Sequence, residues 1–155
     1  MATPRQSMLG GILVRVGTFS LGRFDDRLKL QKTVYLLQAF GIFLGYNFNW
    51  YLRGPYSPGL AHDAFDMASS LNRFEPLHFS DQEAERRFNQ FLEFVSDRKD
   101  IPEWLELVAS IHMLRQMYPE KTKEEIFERM AAKQPNLPNA ERVAAWDRLT
   151  RQGLI

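Results

Sequence analysis

One apolar segment carries the polar side chains best placed to do chemistry in this sequence. In RLKLQKTVYLLQAFG, Gln31, Tyr35 and Gln38 follow one another at spacings of four and three residues. On a helix these spacings bring all three side chains to one face. Amide and phenol groups buried among leucines need hydrogen-bond partners. The partners are either internal, such as backbone groups near Gly54 and Pro55, or external, such as a ligand or a peptide, and the internal alternative is favoured.

A second candidate site follows that segment in the sequence YLRGPYSPGL. Arg53 precedes Gly54, Pro55, Tyr56 and Ser57, where the pattern predicts the start of a helix. Free amide N–H groups and the helix dipole favour an anion at such a position. The loop from Arg53 to Ser57 has no second glycine and no lysine, so a tight structural turn is the favoured interpretation, with a small-ligand or anion sensor as an alternative.

Residues for catalysis or metal binding are few. His62, His78 and His112 are scattered, and His62 diverges from the adjacent Asp63 by about 100° on a helix. The absence of cysteine excludes disulfides, thiolate catalysis and cysteine zinc sites. There is no glycine-rich phosphate loop, nucleophile elbow or dinucleotide fingerprint. We therefore expect no catalytic residue, no metal site and no cofactor, and predict that the protein is not an enzyme.

The C-terminal stretch offers a possible nucleic-acid site. TKEEIFERMAAKQPNLPNAERVAAWDRLTRQGLI is typical of a helix, a turn and a second helix, as in helix-turn-helix proteins. The second helix carries Arg142, Arg148 and Arg151, but Glu141 and Asp147 lie among them. Because packed helix pairs are common, a DNA- or RNA-binding regulator is only an alternative prediction.

The composition predicts one soluble, cytoplasmic domain spanning residues 1–155. Twenty Lys and Arg oppose nineteen Asp and Glu, so the net charge of +1 provides no general attraction to nucleic acid or membranes. Arg15 interrupts the apolar run near the N-terminus, which favours a buried helix over a signal peptide. No apolar stretch approaches the roughly 20 residues needed to cross a bilayer.

The elements that must position these residues are mainly helices. The sequence predicts a mainly α, single compact domain of about six or seven helices with at most a small strand pair, ending in a helix-turn-helix-like pair. Capping residues and apolar periodicity place the helix starts near Ser7, Asp25 or Asp26, Ser57, Ser80, Asp100, Thr122 and Ala140.

Extended structure is predicted at two places. Aromatic residues alternate with polar ones from Tyr46 to Tyr51, which favours a strand over 47–53 that ends at Gly54-Pro55. The proline-broken piece at 74–79 is expected to be a second short strand or a packed loop.

The motifs LKLQK, YLLQ and YLRGPYSPGL, followed by Asp63, together resemble the Panacea superfamily and, within it, the YwgA-like group of prokaryotic proteins. The resemblance covers mainly 28–63, with weaker agreement in AAWDRLTRQGLI. It implies a compact helical fold and a non-catalytic role. Panacea domains act as antitoxins that neutralise toxins by direct binding, or as adaptors that deliver a partner to a protease.

The leading prediction is therefore a cytoplasmic protein-interaction module, antitoxin-like or adaptor, whose partner is another protein. The expected partner-binding surface combines the exposed part of the glutamine helix with the aromatic loop. Its residues are Lys29, Gln31, Lys32, Tyr35, Gln38, Trp50, Tyr51, Arg53, Gly54, Pro55, Tyr56 and Ser57. The identity of the partner and the oligomeric state are left open.

Overall fold

Seven helices and one short hairpin form the fold in a computed structural model that describes residues 1–155. The prediction of a mainly α, single compact domain is confirmed. The helices are α1 (Pro4–Val16), α2 (Phe24–Ala39), α3 (Pro58–Asp66), α4 (Gln82–Val95), α5 (Pro102–Met117), α6 (Lys123–Lys133) and α7 (Asn139–Arg151), and the strands are β1 (Asn49–Tyr51) and β2 (Gly54–Tyr56). None of these helices combines the length and apolar character needed to cross a membrane.

Two central helices organise the core. Helix α2 is buried at every residue from Leu30 to Leu37, and α5 at every residue from Trp104 to Leu114. A helix covered on all sides must lie inside the domain. The two helices pack against each other, α7 packs on α5, and α6 packs on both α5 and α7. The glutamine helix, α2, is therefore covered on more than one side.

Helix starts follow the predicted capping chemistry with local differences. Thr122 and Glu125 form the predicted capping box of α6. Helix α4 is capped by Asp81, which accepts a hydrogen bond from Ala84 N, so the predicted Ser80 cap is wrong by one residue. Helix α2 starts at Phe24, which places the predicted cap residues, the aspartates at 25 and 26, inside its first turn.

The predicted strand over 47–53 is corrected to a hairpin. Only Asn49–Tyr51 forms β1, and Gly54–Tyr56, predicted to break the strand, pairs with it antiparallel as β2. Residues 52–53 make the two-residue turn, and Gly54 has a φ of 91°, which favours glycine. Pro55 lacks an N–H, but a two-stranded ribbon consists of edges alone, where proline is tolerated.

The segment at 74–79 is a packed loop and contains no strand. It lies against α1, where Leu77 N donates to Gly11 O at 3.0 Å. Of the two predicted alternatives for this segment, the packed loop is therefore confirmed.

Candidate functional site

An apolar groove opens where α2, α3 and the hairpin meet. Its cavity volume is about 680 Å³. The first half of α2 forms the floor, the turn and ends of the hairpin form one wall, and α3 forms the other. The lining residues are Leu21, Phe24, Arg27, Leu28, Leu30, Gln31, Lys32, Tyr51, Leu52, Arg53, Tyr56, Ala61, Ala64 and Phe65. We call this cavity the groove.

The rim of the groove carries four large, exposed side chains. Phe24 is 54% exposed, Tyr51 59%, Leu52 77% and Phe65 78%. Each lines the groove, and they come from all three elements that form it. Isolated exposed apolar residues are ordinary, whereas a cluster around one concave surface is typical of an interaction site.

Gln31 fixes the start of α3 against the floor of the groove. Its Oε1 accepts a hydrogen bond from Ser57 N at 2.9 Å, and its Nε2 donates to Ser57 O at 2.9 Å. Ser57 in turn caps α3, because its hydroxyl accepts from Leu60 N. Two of the amide N–H groups at this helix start, those of Ser57 and Leu60, thus have partners within the chain.

The other two polar side chains on this face of α2 are also paired internally. Gln38 Oε1 accepts from Leu44 N and Tyr46 N, and its Nε2 donates to Tyr46 O at 3.0 Å. The Tyr35 hydroxyl and His112 Nδ1 share a hydrogen bond of 2.6 Å. Burial raises the pKa of Tyr35 and lowers the pKa of His112 to about 4, so both groups are neutral at pH 7.

Three cationic side chains hold the hairpin, two from neighbouring helices and one, Arg53, from its own turn. Lys32 Nζ donates to Pro55 O, and Lys133 Nζ donates to Leu52 O. Burial lowers the pKa of Lys32 to about 8, a shift that Glu106 opposes and that Lys133 and Arg53 increase. Burial also lowers the pKa of Lys133. Lys32 and Lys133 therefore both contribute contacts that hold one wall of the groove.

Arg53 makes the third of these contacts and reaches from the turn of the hairpin to a buried carboxylate. Its Nε donates to Glu106 Oε1 at 2.7 Å, while the Glu106 side chain is 1% exposed. The second carboxylate oxygen, Glu106 Oε2, and the nearby Ser110 hydroxyl make no hydrogen bond within the chain. Ser110 lies directly beneath Gly54, where a Cβ would overlap its hydroxyl.

The wall formed by α3 is secured from its far side by Asp63. This buried carboxylate accepts hydrogen bonds from Arg5 Nε at 2.9 Å, Gln6 Nε2 at 3.2 Å and the Tyr46 hydroxyl at 2.8 Å. Burial by itself would raise the pKa of Asp63, but the three donors outweigh it and hold the pKa below its usual value. Asp63 therefore ties α3 to α1 and to the segment before β1.

The histidines do not converge. His62 and His78 have exposed side chains beside Asp66 and Glu85, and His112 is buried against Tyr35. No cluster of three or more histidine, aspartate or glutamate side chains is placed to hold a metal ion.

The structure brings five of the twelve predicted partner-binding residues to the groove. These are Gln31, Lys32, Tyr51, Arg53 and Tyr56. The others lie elsewhere: Tyr35, Gly54, Pro55 and Ser57 are buried, Gln38 is partly buried, Lys29 pairs with Asp100, and Trp50 is half-buried with its ring centre 5.0 Å from Lys133 Nζ.

Three rim residues, Phe24, Leu52 and Phe65, were not among the predicted partner-binding residues. A signal was present for Phe65, because it falls off the inward stripe of α3 formed by Leu60 and Ala64. A large apolar residue outside the buried stripe of a short helix is a candidate for a binding surface.

The C-terminal arginines are partly committed to the fold. Arg142 Nη1 donates to Leu137 O, and Arg148 donates to Phe94 O and to the Asp97 carboxylate. Arg151 is exposed at the end of α7.

No protein-family model matches the sequence, and no curated protein or solved structure matches it either.

Proposed function

We propose that this protein is a non-catalytic binding module that captures an apolar segment of a partner protein in the groove. The observation that carries the proposal is the rim: four large apolar side chains, each more than half exposed, surround one apolar cavity. Full burial of such a side chain is worth roughly 1.5–3 kcal/mol, so covering the rim gives association a substantial driving force.

The groove is held in shape before any partner arrives. Gln31 secures α3 to the floor, Asp63 secures it from behind, and Lys32, Lys133 and Arg53 hold the hairpin. A preformed site saves the entropy that a flexible one loses on binding. The buried polar residues of the fold therefore support the binding surface from beneath.

The resemblance to Panacea domains gives this module a biological class. We propose an antitoxin-like or adaptor role in the cytoplasm, in which the groove neutralises or recruits its partner by direct binding. Two of the three elements that form the groove, α2 and the hairpin, carry most of the motifs on which the resemblance rests.

The test is selection of random peptides of about a dozen residues displayed on phage against the wild-type protein. The groove variant is Phe65→Ser, and the matched control is Phe43→Ser, because Phe43 is 73% exposed but lies outside the groove. Selected apolar peptides should bind Phe65→Ser at least about tenfold more weakly than wild type and bind Phe43→Ser normally. Equal effects of the two substitutions, or no selected peptides, would overturn the proposal.

A second copy of the chain is the alternative occupant that the same variants test. Size-exclusion chromatography with light scattering should give a monomer for wild type. A wild-type dimer that Phe65→Ser dissociates and Phe43→Ser does not would mean that the groove is a homodimer interface, and the proposal of a foreign partner would be wrong.

The size of the groove favours a small apolar ligand as the second candidate. Its volume of about 680 Å³ lies within the range of roughly 300–1,000 Å³ typical of small-molecule sites. The fluorescent dye 1-anilinonaphthalene-8-sulfonate is a suitable probe. Dye binding that depends on Phe65, without any selected peptide that depends on it, would favour this candidate over the protein partner.

A further inference from the structure

Every charged side chain that lines the groove is a cation. These residues are Arg27 on α2, Lys32 on its floor and Arg53 in the hairpin turn. The buried carboxylate near them, Glu106, is already bonded to Arg53 and also faces Lys32 and Lys133. Three cations thus share one carboxylate, which makes the hairpin side of the groove electropositive.

The Arg53 guanidinium, on this electropositive side, has one nitrogen bonded within the chain and two that are not. Its Nε is bonded to Glu106 Oε1 at 2.7 Å, and both Nη groups make no hydrogen bond within the chain. Its side chain is 42% exposed and lies over the Phe24 ring, with Cζ 5.4 Å from the ring centre. Glu106 and Phe24 therefore restrict the guanidinium while its Nη donors stay available.

The geometry points to a carboxylate of the partner, bound end-on by the two Nη groups of Arg53, with an apolar side chain beside it between Phe24 and Phe65. This inference rests on the proposed function and names the chemistry of the segment that the groove binds. Planar carboxylates match the paired donors of a guanidinium, and such bidentate pairs are among the stronger hydrogen-bonded contacts in proteins.

The cationic lining attracts acidic segments and also disfavours basic ones. Amine groups of a partner would meet the exposed side chains of Arg27 and Arg53, with no free carboxylate in the lining to receive them. Juxtaposed like charges weaken the binding of wrong partners. The carboxylate has two possible sources, an Asp or Glu side chain or the C-terminus of a chain.

The test uses phage-selected peptides that require Phe65. Those peptides should be enriched in Asp or Glu, or should end in a free carboxylate, and synthetic versions distinguish the two sources. Replacing Asp by Asn or Glu by Gln should weaken binding about tenfold if Arg53 binds a side-chain carboxylate, and amidating the C-terminus should do so if it binds the terminal carboxylate. Changing the peptide leaves the fold of the protein untouched.

The protein side of the test uses Arg53→Gln, with Arg151→Gln as a control that removes the same charge from an exposed position outside the groove. Arg53→Gln should abolish the preference for the acidic peptide over its amide counterpart, and Arg151→Gln should preserve it. Arg53→Gln removes the ion-pair partner of the buried Glu106 carboxylate and can destabilise the fold. The double variant Arg53→Gln/Glu106→Gln also removes that buried charge, and it should likewise show no preference for the acidic peptide.

Two outcomes separate the two proposals. Peptides that require Phe65 but carry no carboxylate, or that bind Arg53→Gln with the acidic preference intact, would overturn this inference and leave the proposed function standing. The lack of any peptide that requires Phe65 would overturn the proposed function itself.

Discussion

Replacing Gln31 by alanine should cost about 2.5–5 kcal/mol of folding free energy, although no bound partner is involved. Gln31 is 5% exposed and makes two hydrogen bonds of 2.9 Å to the Ser57 backbone. The Ser57 N–H loses its acceptor, and an unpaired buried donor costs about 1–3 kcal/mol. The Ser57 carbonyl keeps its bond from Ala61 N, so its loss is about 0.5–1 kcal/mol. Lost packing of the buried stem adds roughly 1 kcal/mol.

The assay is urea unfolding followed by circular dichroism, with Gln116→Ala as the matched control. Gln116 also lies inside a helix, α5, but it is exposed and its side chain makes no hydrogen bond. The control should stay within about 0.5 kcal/mol of wild type, as surface substitutions do. A loss below about 1 kcal/mol for Gln31→Ala would refute the argument that this amide secures α3.

A near-isosteric change sharpens the same prediction. In Gln31→Glu, one carboxylate oxygen still accepts from Ser57 N, but the other faces Ser57 O without a proton between them. Protonation restores a donor, so the folded state should raise the pKa of the new carboxyl above the ordinary value of about 4.3. The destabilisation relative to wild type should therefore grow as the pH rises from about 4.3 through the raised pKa. A deficit independent of pH would contradict this reasoning.

Three further predictions concern the supports of the groove. Gly54→Ala should lower the free energy of unfolding, measured with urea, by roughly 2–4 kcal/mol, because alanine is strained at a φ of 91° and would overlap Ser110. The control Gly153→Ala, at a φ of 70° with open space around it, should lower it by only about 1 kcal/mol. Asp63→Asn should lower the free energy of unfolding by about 2 kcal/mol at pH 7, and this deficit should shrink in acid. The native pKa of Asp63 lies below the unfolded value of about 3.9. The wild type therefore loses this stabilisation as the pH falls through the native pKa. In the wild type, the native pKa of Lys32 is about 8, below its ordinary value of 10.5. Between these pH values the unfolded wild type therefore binds more protons than the folded one. The stability of the wild type relative to Lys32→Met should therefore rise from pH 8 to 10.5. A difference between wild type and Lys32→Met that stays constant over this range would show that the amine is not buried in solution.

The helices could be predicted from the sequence because their signals are local. The capping box of Thr122 and Glu125 and the apolar stripe that follows it lie within a few residues of each other. The sequence also predicts that the buried glutamines need hydrogen-bond partners. The identities of those partners could not be predicted, because Gln31 and Ser57 are 26 residues apart in the sequence and no local pattern relates them.

The groove escaped prediction because it exists only where three elements meet. Phe24 and Phe65 stand 41 positions apart in the sequence, and no periodicity relates them. The hairpin was missed for a different reason: Pro55 indicates the end of a strand in a larger sheet but is acceptable in a two-stranded ribbon. Pairing between short segments depends on cross-strand neighbours and on the supports beneath them, such as Lys32 and Lys133, more than on local propensity.

The half-buried position of Trp50 gives the hairpin an intrinsic optical reporter. Its ring centre is 5.0 Å from Lys133 Nζ, whereas the Trp104 ring is buried in the core and the Trp146 ring packs edge-on against Phe127. Indole emission responds to nearby charge and to water. With Trp146→Phe as the background, a shift in fluorescence on adding a ligand would come chiefly from the hairpin, so occupancy of the groove can be followed in real time without any attached label.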